Sequence, residues 1–392
     1  MSGGFRRFRV TEKARESEVI TSFLLVPVDG GPLWQAEPGQ YLTLRVPSGQ
    51  GVLLKTYSIS GDVSRPDGHR ITVKRETRPA DVPDAPEGIG SCWLHDVVEV
   101  GTEIEIAPPR GAFVLDRQSP RPVLLLAGGV GVTPLLSMLH ALQRTPRKVW
   151  MIQACENGAV HAMGDEIRAL AAGAKGEVHP LVVYRNPSKG ERCDSVGVID
   201  RALLQRLLPL DDYDVYMCGP TPFMAAMFRL LRELGVSKDR IAYEFFGKAT
   251  SLEALAQAPR PDSPDSRAGS RATPSIAGLA FLTDPDARAV PETDSLALAE
   301  KPRLTTAAGD DVRFARSGAS AAWTEDAHSL LELAEAAGLD PAFSCRSGIC
   351  GTCRCRLLEG EVAYFEDPLD TPPAGEVLIC CARPRGRVVL DL

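Results

Sequence analysis

The stretch PVLLLAGGVGVTPLLSMLHAL (122–142) reads as a short apolar strand, a glycine turn and a helix. Val123 to Ala127 show no polar alternation, which suits a strand buried on both faces of a parallel sheet. Gly129 and Gly131 form the turn, Thr133 suits the N-cap and Pro134 the first helical turn. The run departs from the G-x-G-x-x-G fingerprint, because Pro134 stands where the third glycine belongs. A single glycine turn is weak evidence. Its weight comes from a second strand, turn and helix in DVYMCGPTPFM (214–224), and from the apolar runs VWMIQA (149–154) and PLVVYR (180–185), which alternate with helix-like stretches. Together they predict an α/β domain with a parallel sheet over 117–250, whose ligands sit beyond the carboxyl ends of the strands.

On the amino-terminal side the rhythm is different. ITSFLLVPV (20–28), QYLTLRVP (40–47) and HRITVKRE (69–76) are β-rich and separated by Gly, Pro and Asp turns, which predicts a small antiparallel barrel or sandwich over 1–116. KTYSIS (55–60) places a cation, a ring and a hydroxyl on one strand. Lys55 can meet a phosphate, Tyr57 can stack on an isoalloxazine, and Ser58 can hydrogen-bond near its N5. GIGSCWLHDVVEVG (88–101) adds a glycine-rich turn leading into the helix-like WLHDVV, so that backbone N–H groups around Gly90, with Ser91, face an anion such as a pyrophosphate.

On the carboxyl side, 251–305 contains APRPDSPDSRAGSRATPS, rich in Pro, Ser, Asp and Arg without hydrophobic period, and reads as a flexible tether. GLAFL (278–282) is its one apolar patch. The segment 306–392 has strand-like sequence and an amphipathic helix at 327–337, then holds six of the ten cysteines between 345 and 381. Cys345, Cys350 and Cys353 have the C-x4-C-x2-C spacing of a plant-type [2Fe-2S] cluster, and Cys380 or Cys381 supplies the fourth thiolate. Gly348 and Gly351 let backbone N–H groups turn toward the sulfurs. A structural zinc site would instead show two paired C-x2-C knuckles. Cys355 and the remaining neighbour read as small buried hydrophobes.

These motifs resemble known families. FSCRSGICGTCRCRLLEGEV with EVLICCARP is similar to plant-type ferredoxins over about 80 residues, and the LICCARP pattern favours Cys380 as the last ligand, implying a β-grasp α+β domain over 306–392. KTYSIS, GGVGVTP, CGPTPFM and YEFFG (243–247), in that order, resemble the ferredoxin-NADP reductase superfamily; SCWLHD and ENGAVHAMGDE bring the likeness closest to the reductase half of flavohaemoglobins. The resemblance implies a flavin-type antiparallel β-barrel over 1–116 and FAD rather than FMN, held by Lys55, Thr56, Tyr57, Ser58, Val73, Lys74, Gly90, Ser91 and Phe246. It implies a nicotinamide nucleotide on Gly129, Gly131, Thr133, Gly219 and Pro220. Ser58, Cys218 and Glu244 then line the hydride-transfer site. Lys55 replaces the usual Arg, a point charge in place of a bidentate fork. Glu156, after the second strand of the sheet, suits a free ribose 2′-hydroxyl and repels a 2′-phosphate, so NADH is expected over NADPH.

No globin segment precedes the reductase motifs here, so the nitric oxide dioxygenase activity of flavohaemoglobins is not expected. The order of domains is similar to reductase components of Rieske-type oxygenases and to the reductase of hybrid-cluster protein. Electrons are therefore expected to pass from NADH through FAD and the [2Fe-2S] cluster to a partner protein, an oxygenase component first, with a hybrid-cluster or haem protein as alternative acceptor. Rival readings are a stand-alone diaphorase or flavin reductase and a non-catalytic redox-sensing module.

Composition sets the outer limits. Hydrophobic residues at 44% and charged residues at 24% exclude wholesale disorder, and a net charge of −7 argues against nucleic acid as a partner. That charge is uneven: 306–392 carries 14 acidic and 8 basic side chains, 251–305 carries 8 and 6, and 1–250 is left at +1. The acidic end is expected to meet a basic surface on the acceptor. MSGGFRRFRV lacks a signal-peptide core and no apolar run approaches the roughly 20 residues of a membrane span, so a cytoplasmic location and no membrane partner are expected.

Overall fold

A computed structural model of the chain describes residues 4–246, except 50, 66 and 79–86, and residues 311–392, except 324–326, 328, 340, 344–347, 349, 350 and 370. The expected tether, GLAFL within it, and two of the expected cluster cysteines, Cys345 and Cys350, lie outside the described residues. The chain forms two compact units, one holding the first two sheets and the other the third.

The first sheet is antiparallel. It contains β1 (Arg6–Arg15), β2 (Ile20–Pro27), β3 (Tyr41–Ser48), β4 (Gly51–Ser58), β5 (His69–Lys74) and β6 (Glu103–Arg110), in the order β4-β3-β6-β1-β2-β5. A bridge between Ile59 and Ile71 joins the end of β4 to β5, so the two edges meet and the sheet closes on itself. Period-two alternation sends Leu42, Leu44 and Val46 of β3 and Ile71 and Val73 of β5 inward, with Phe8, Phe23 and Ile106. Helix α1 (Ile89–Asp96) adds Leu94 to this core. The helix starts at Ile89, earlier than WLHDVV suggested, because Cys92 N already donates to Gly88 O at 2.8 Å and closes the first turn.

The second sheet is wholly parallel: β7 (Val123–Gly128), β8 (Val149–Cys155), β9 (Val178–Tyr184), β10 (Ser195–Val196), β11 (Asp214–Gly219) and β12 (Ile241–Phe245), ordered β10-β9-β8-β7-β11-β12. Helices α2 (Val132–Leu142) and α3 (Gly164–Ala172) cover one face, through Leu135, Leu139 and Ile167. Helices α4 (Arg201–Leu207) and α5 (Thr221–Glu233) cover the other, through Leu203, Phe223 and Met227. Between β7 and β11 the strand order reverses, which opens a crevice at their carboxyl ends.

Two polar contacts tie this sheet to the barrel. Arg70 of β5 forks the Glu166 carboxylate of α3 at 2.9 and 2.8 Å, and His140 Nε2 of α2 lies 2.7 Å from the same group. Burial raises the Glu166 pKa, but the bonds from His140 and Arg70 outweigh it and hold the group at about 2. Arg144 pairs with Asp62 beside it.

The third sheet is mixed. β13 (Asp311–Phe314), β14 (Ser320–Ala322), β15 (Arg354–Tyr364), β16 (Glu376–Leu378) and β17 (Ala382–Leu390) run in the order β14-β13-β17-β15-β16, with β13 and β17 parallel. Helix α6 (Leu330–Ala336) packs Leu330, Leu331 and Ala334 on it. This α+β arrangement agrees with the expected class. The helix is shorter than 327–337 because Ser329 caps it, its Oγ accepting from Glu332 N at 3.2 Å. Among the described residues no helix is long and apolar enough to cross a membrane.

Candidate functional site

Ser58, Cys218 and Glu244 are brought together at the crevice. β11 and β12 pair with Cys218 opposite Glu244, and Ser58 at the end of β4 donates from Oγ to Glu244 Oε2 at 3.4 Å, across 186 residues of chain. Glu244 keeps some exposed surface, yet its carboxyl is so closely surrounded by protein that desolvation pushes its pKa up to about 8, against the opposing bond from Ser58. Cys218 is fully buried, and burial followed by the nearby Glu244 carboxylate drives its thiol well above the ordinary range. Both shifts favour the protonated, uncharged form of the group concerned.

The glycines of the loops after β7 and β11 explain how the two loops meet. A Cβ on Gly131 would stand 2.1 Å from the Cys218 carbonyl oxygen, and one on Gly219 would stand 2.8 Å from Phe223 and 3.0 Å from Gly128 Cα. Gly129 to Gly131 form a tight 3-10 turn, with Gly129 at φ +53. Thr133 is not the N-cap that the sequence suggested. The helical backbone already passes through Gly131, and the buried Thr133 Oγ1 donates back to Val130 O at 3.1 Å. Pro220 precedes the first residue of α5 in extended conformation. Glu156 follows β8, and its Oε1 accepts from Asn186 Nδ2 at 2.6 Å.

Around α1 the residues form a cradle. A Cβ on Gly90 would lie 2.6 Å from Tyr57 Oη and 2.8 Å from Lys55 Cγ, so this helix position approaches β4 too closely for any side chain. Desolvation of Tyr57 raises its phenol well above the usual value and keeps it neutral. Lys55 and Tyr57 share one face of β4 by strand alternation, while Thr56 points the other way and is exposed. A cation, a ring and the first turn of a helix thus border one spot, which fits an anionic, ring-bearing group. The other candidates are placed differently. Ser91 Oγ is committed to protein, donating to Gly88 O at 3.0 Å and accepting from Glu76 N at 3.2 Å, so only the backbone of that turn faces a ligand. The Val73 side chain is in the barrel core, Lys74 pairs with Glu76 at 3.0 Å, and Phe246 is 45% exposed.

In the second unit Cys353 and Cys380 are buried, and Gly348 N donates to Cys380 Sγ at 3.3 Å. Gly348 and Gly351 have φ of +69 and +68, the left-handed backbone that this tight loop requires. Cys381 is also buried, but its Sγ donates to Leu378 O at 3.5 Å and abuts Gly348. Burial pushes Cys355 up to about 11, consistent with a packed thiol. The donor set fits a thiolate-bound cluster: a backbone N–H already points at the Cys380 sulfur, the contact that favours its anionic form.

Residues 125–229 match the oxidoreductase NAD-binding domain and residues 313–385 the 2Fe-2S iron-sulfur cluster binding domain. The FAD/NAD-binding domain of a nitric oxide dioxygenase from Vibrio cholerae is 35% identical, with a TM-score of 0.54, and is matched over 100% of its length by 62% of this chain. The chain belongs to the ferredoxin-NADP reductase superfamily. This reductase-type chain joins an oxidoreductase NAD-binding domain to a carboxyl-terminal 2Fe-2S iron-sulfur cluster binding domain. It is 44% identical over 260 residues to a flavohemoprotein of Rhodopirellula baltica, covering 64% of the reductase and 63% of that protein. A flavohemoprotein of Halalkalibacterium halodurans is 40% identical over 261 residues, covering 64% and 62%. The reductase thus spans less than two thirds of these relatives. The structure of phthalate dioxygenase reductase shares its fold over 99% of the reductase and 98% of that chain, at 24% identity and a TM-score of 0.50.

Asn186 went unnoticed in the sequence. Its signal, an amide shortly after the third strand of a parallel sheet, is too common to single out without the strand pairing.

Proposed function

We propose that the reductase passes electrons from NADH through FAD to the [2Fe-2S] cluster and on to an electron-accepting protein, an oxygenase component first among them. The observation that carries this reading is the Ser58–Glu244 hydrogen bond beside Cys218, where the flavin-motif strand meets the two strands that end the nucleotide crevice. When bound, a flavin supplies the conversion between the two-electron chemistry of a nicotinamide and the one-electron chemistry of an iron–sulfur cluster. The chain's residues prepare its place. Lys55 and the first turn of α1 would offer positive charge and N–H donors to a pyrophosphate, Gly90 lets that turn close on Lys55 and Tyr57, and Tyr57 would border the ring. Gly131 and Gly219 let the loops after β7 and β11 approach each other with no side chain between them, and the backbone at Cys218 would border a bound nicotinamide. Glu244, protonated below about 8 and oriented by Ser58, holds a proton there without placing a charge beside it. Cys345, Cys350, Cys353 and Cys380 hold the cluster. The choice of Cys380 over Cys381 is supported by the N–H aimed at its sulfur. The oxygenase acceptor rests on domain order alone.

The test uses the full chain with NADH and two acceptors. Cys350→Ser is expected to abolish reduction of a one-electron protein acceptor while ferricyanide reduction largely survives. Persistence of both would favour a stand-alone diaphorase, and failure of NADH to bleach the flavin in anaerobic titration would favour the non-catalytic reading.

A further inference from the structure

The carboxyl ends of β8 and β9 are joined beyond the strands themselves. Arg185 N donates to Cys155 O at 3.0 Å and Asn186 N to Glu156 O at 2.9 Å, so the turn after β9 continues the pairing past the sheet. The Asn186 side chain adds a third bond, Nδ2 to Glu156 Oε1 at 2.6 Å. One oxygen of the Glu156 carboxylate is therefore held in place, and the other is left to accept. We infer that Asn186 is a positioning residue that sets Glu156 to accept the ribose 2′-hydroxyl of NADH and so makes the reductase select NADH over NADPH; this rests on the nucleotide site proposed above.

The chemistry of the two coenzymes supports the assignment. A ribose hydroxyl has a proton to donate to a carboxylate, whereas a 2′-phosphate brings a charge of about −1.5 to −2 against it. A freely rotating carboxylate at a strand end would lose part of this discrimination to side-chain entropy; one fixed by an amide does not. The same loop folds back once more. Glu191 Oε2 accepts from Ser188 N at 2.8 Å, and its Oε1 lies where a Cβ on Gly158 would come within 2.8 Å, which places a second carboxylate beside Gly158. Lys189 and Arg192 on this loop are exposed, whereas Arg185 Nη1 is shielded from solvent.

Steady-state ferricyanide reduction by the full chain, with NADH and NADPH in parallel, tests this. Asn186→Ala is expected to raise KM for NADH by about tenfold, the size of a hydrogen bond to a charged group, with kcat and the KM for NADPH nearly unchanged. Asn186→Asp, which keeps the size and replaces the donor with an acceptor, is expected to raise KM for NADH at least as much. Glu156→Gln is expected to bring the two coenzymes within a few-fold of each other. If Glu156→Gln changes the preference but both Asn186 variants leave KM for NADH intact, or impair both coenzymes equally, the positioning role is overturned. If Glu156→Gln leaves the preference unchanged, or the unaltered chain prefers NADPH, the reading of the nucleotide site fails with it.

Discussion

The two units build their sites in opposite ways. In the terminal unit three of the proposed cluster cysteines lie within nine residues, 345 to 353, and one strand pair brings up the fourth. In the larger unit the proposed transfer site joins the ends of β4, β11 and β12, and its central hydrogen bond spans 186 residues. A cluster needs several ligands of one kind at short range, so a loop suffices. Redox chemistry between two bound coenzymes needs different groups on the walls of a crevice, and those come from different elements. A local site should therefore fail at single ligands, and a distributed site should fail at the contacts between elements.

The largest expected effect is at the local site. Cys380→Ser should remove the [2Fe-2S] absorption and EPR signals, whereas Cys381→Ser should retain them; cluster loss in Cys381→Ser alone would reverse the ligand assignment. Next is the crevice. Gly131→Val would drive a Cβ to within 2.1 Å of the Cys218 carbonyl and force the two nucleotide loops apart. NADH-dependent ferricyanide reduction should fall by orders of magnitude, with a stability loss of about 1–3 kcal/mol in thermal unfolding. Unchanged NADH kinetics would show that the loops do not need this contact.

A smaller and pH-dependent effect belongs to Glu244. Its pKa is raised to about 8, so the carboxyl is neutral below that pH and charged above it. The rate of flavin reduction by NADH, followed by stopped flow, should decline as pH rises through about 8, and Glu244→Gln should flatten that limb. The sign for stability is the same: the contribution of the neutral carboxyl is fully present below the ordinary carboxylate range and is lost as pH rises through about 8. The smallest effect is expected at Gly348→Ala. Its φ of +69 costs an L-residue about 1–2 kcal/mol, and the added methyl meets Cys381 Sγ at 2.8 Å. A shift in the cluster midpoint potential with the cluster retained is the expected readout, and no shift would detach Gly348 N from the Cys380 sulfur.

Legibility followed the same division. The α/β alternation, the antiparallel amino-terminal strands and the thiolate spacing were all readable, because hydrophobic period and ligand spacing act over a few residues. The placement of Thr133 was not, since a 3-10 turn at Gly129–Gly131 carries helical backbone into α2 and leaves no cap to fill. Ser91 misled for a related reason: a hydroxyl at a helix start is equally suited to an anion or to its own loop, and here Glu76 N and Gly88 O claim it.

By itself the sequence determined the sheet types, the helix-bearing segments and the spacing of the cluster cysteines, since each depends on neighbours close in the chain. Only the tertiary structure decided that Ser58 would meet Glu244, that Gly90 would press on Tyr57 and that Asn186 would hold Glu156. Those contacts depend on barrel closure and on parallel strand order, and loop closure over such separations leaves no periodic trace in the residues that make them.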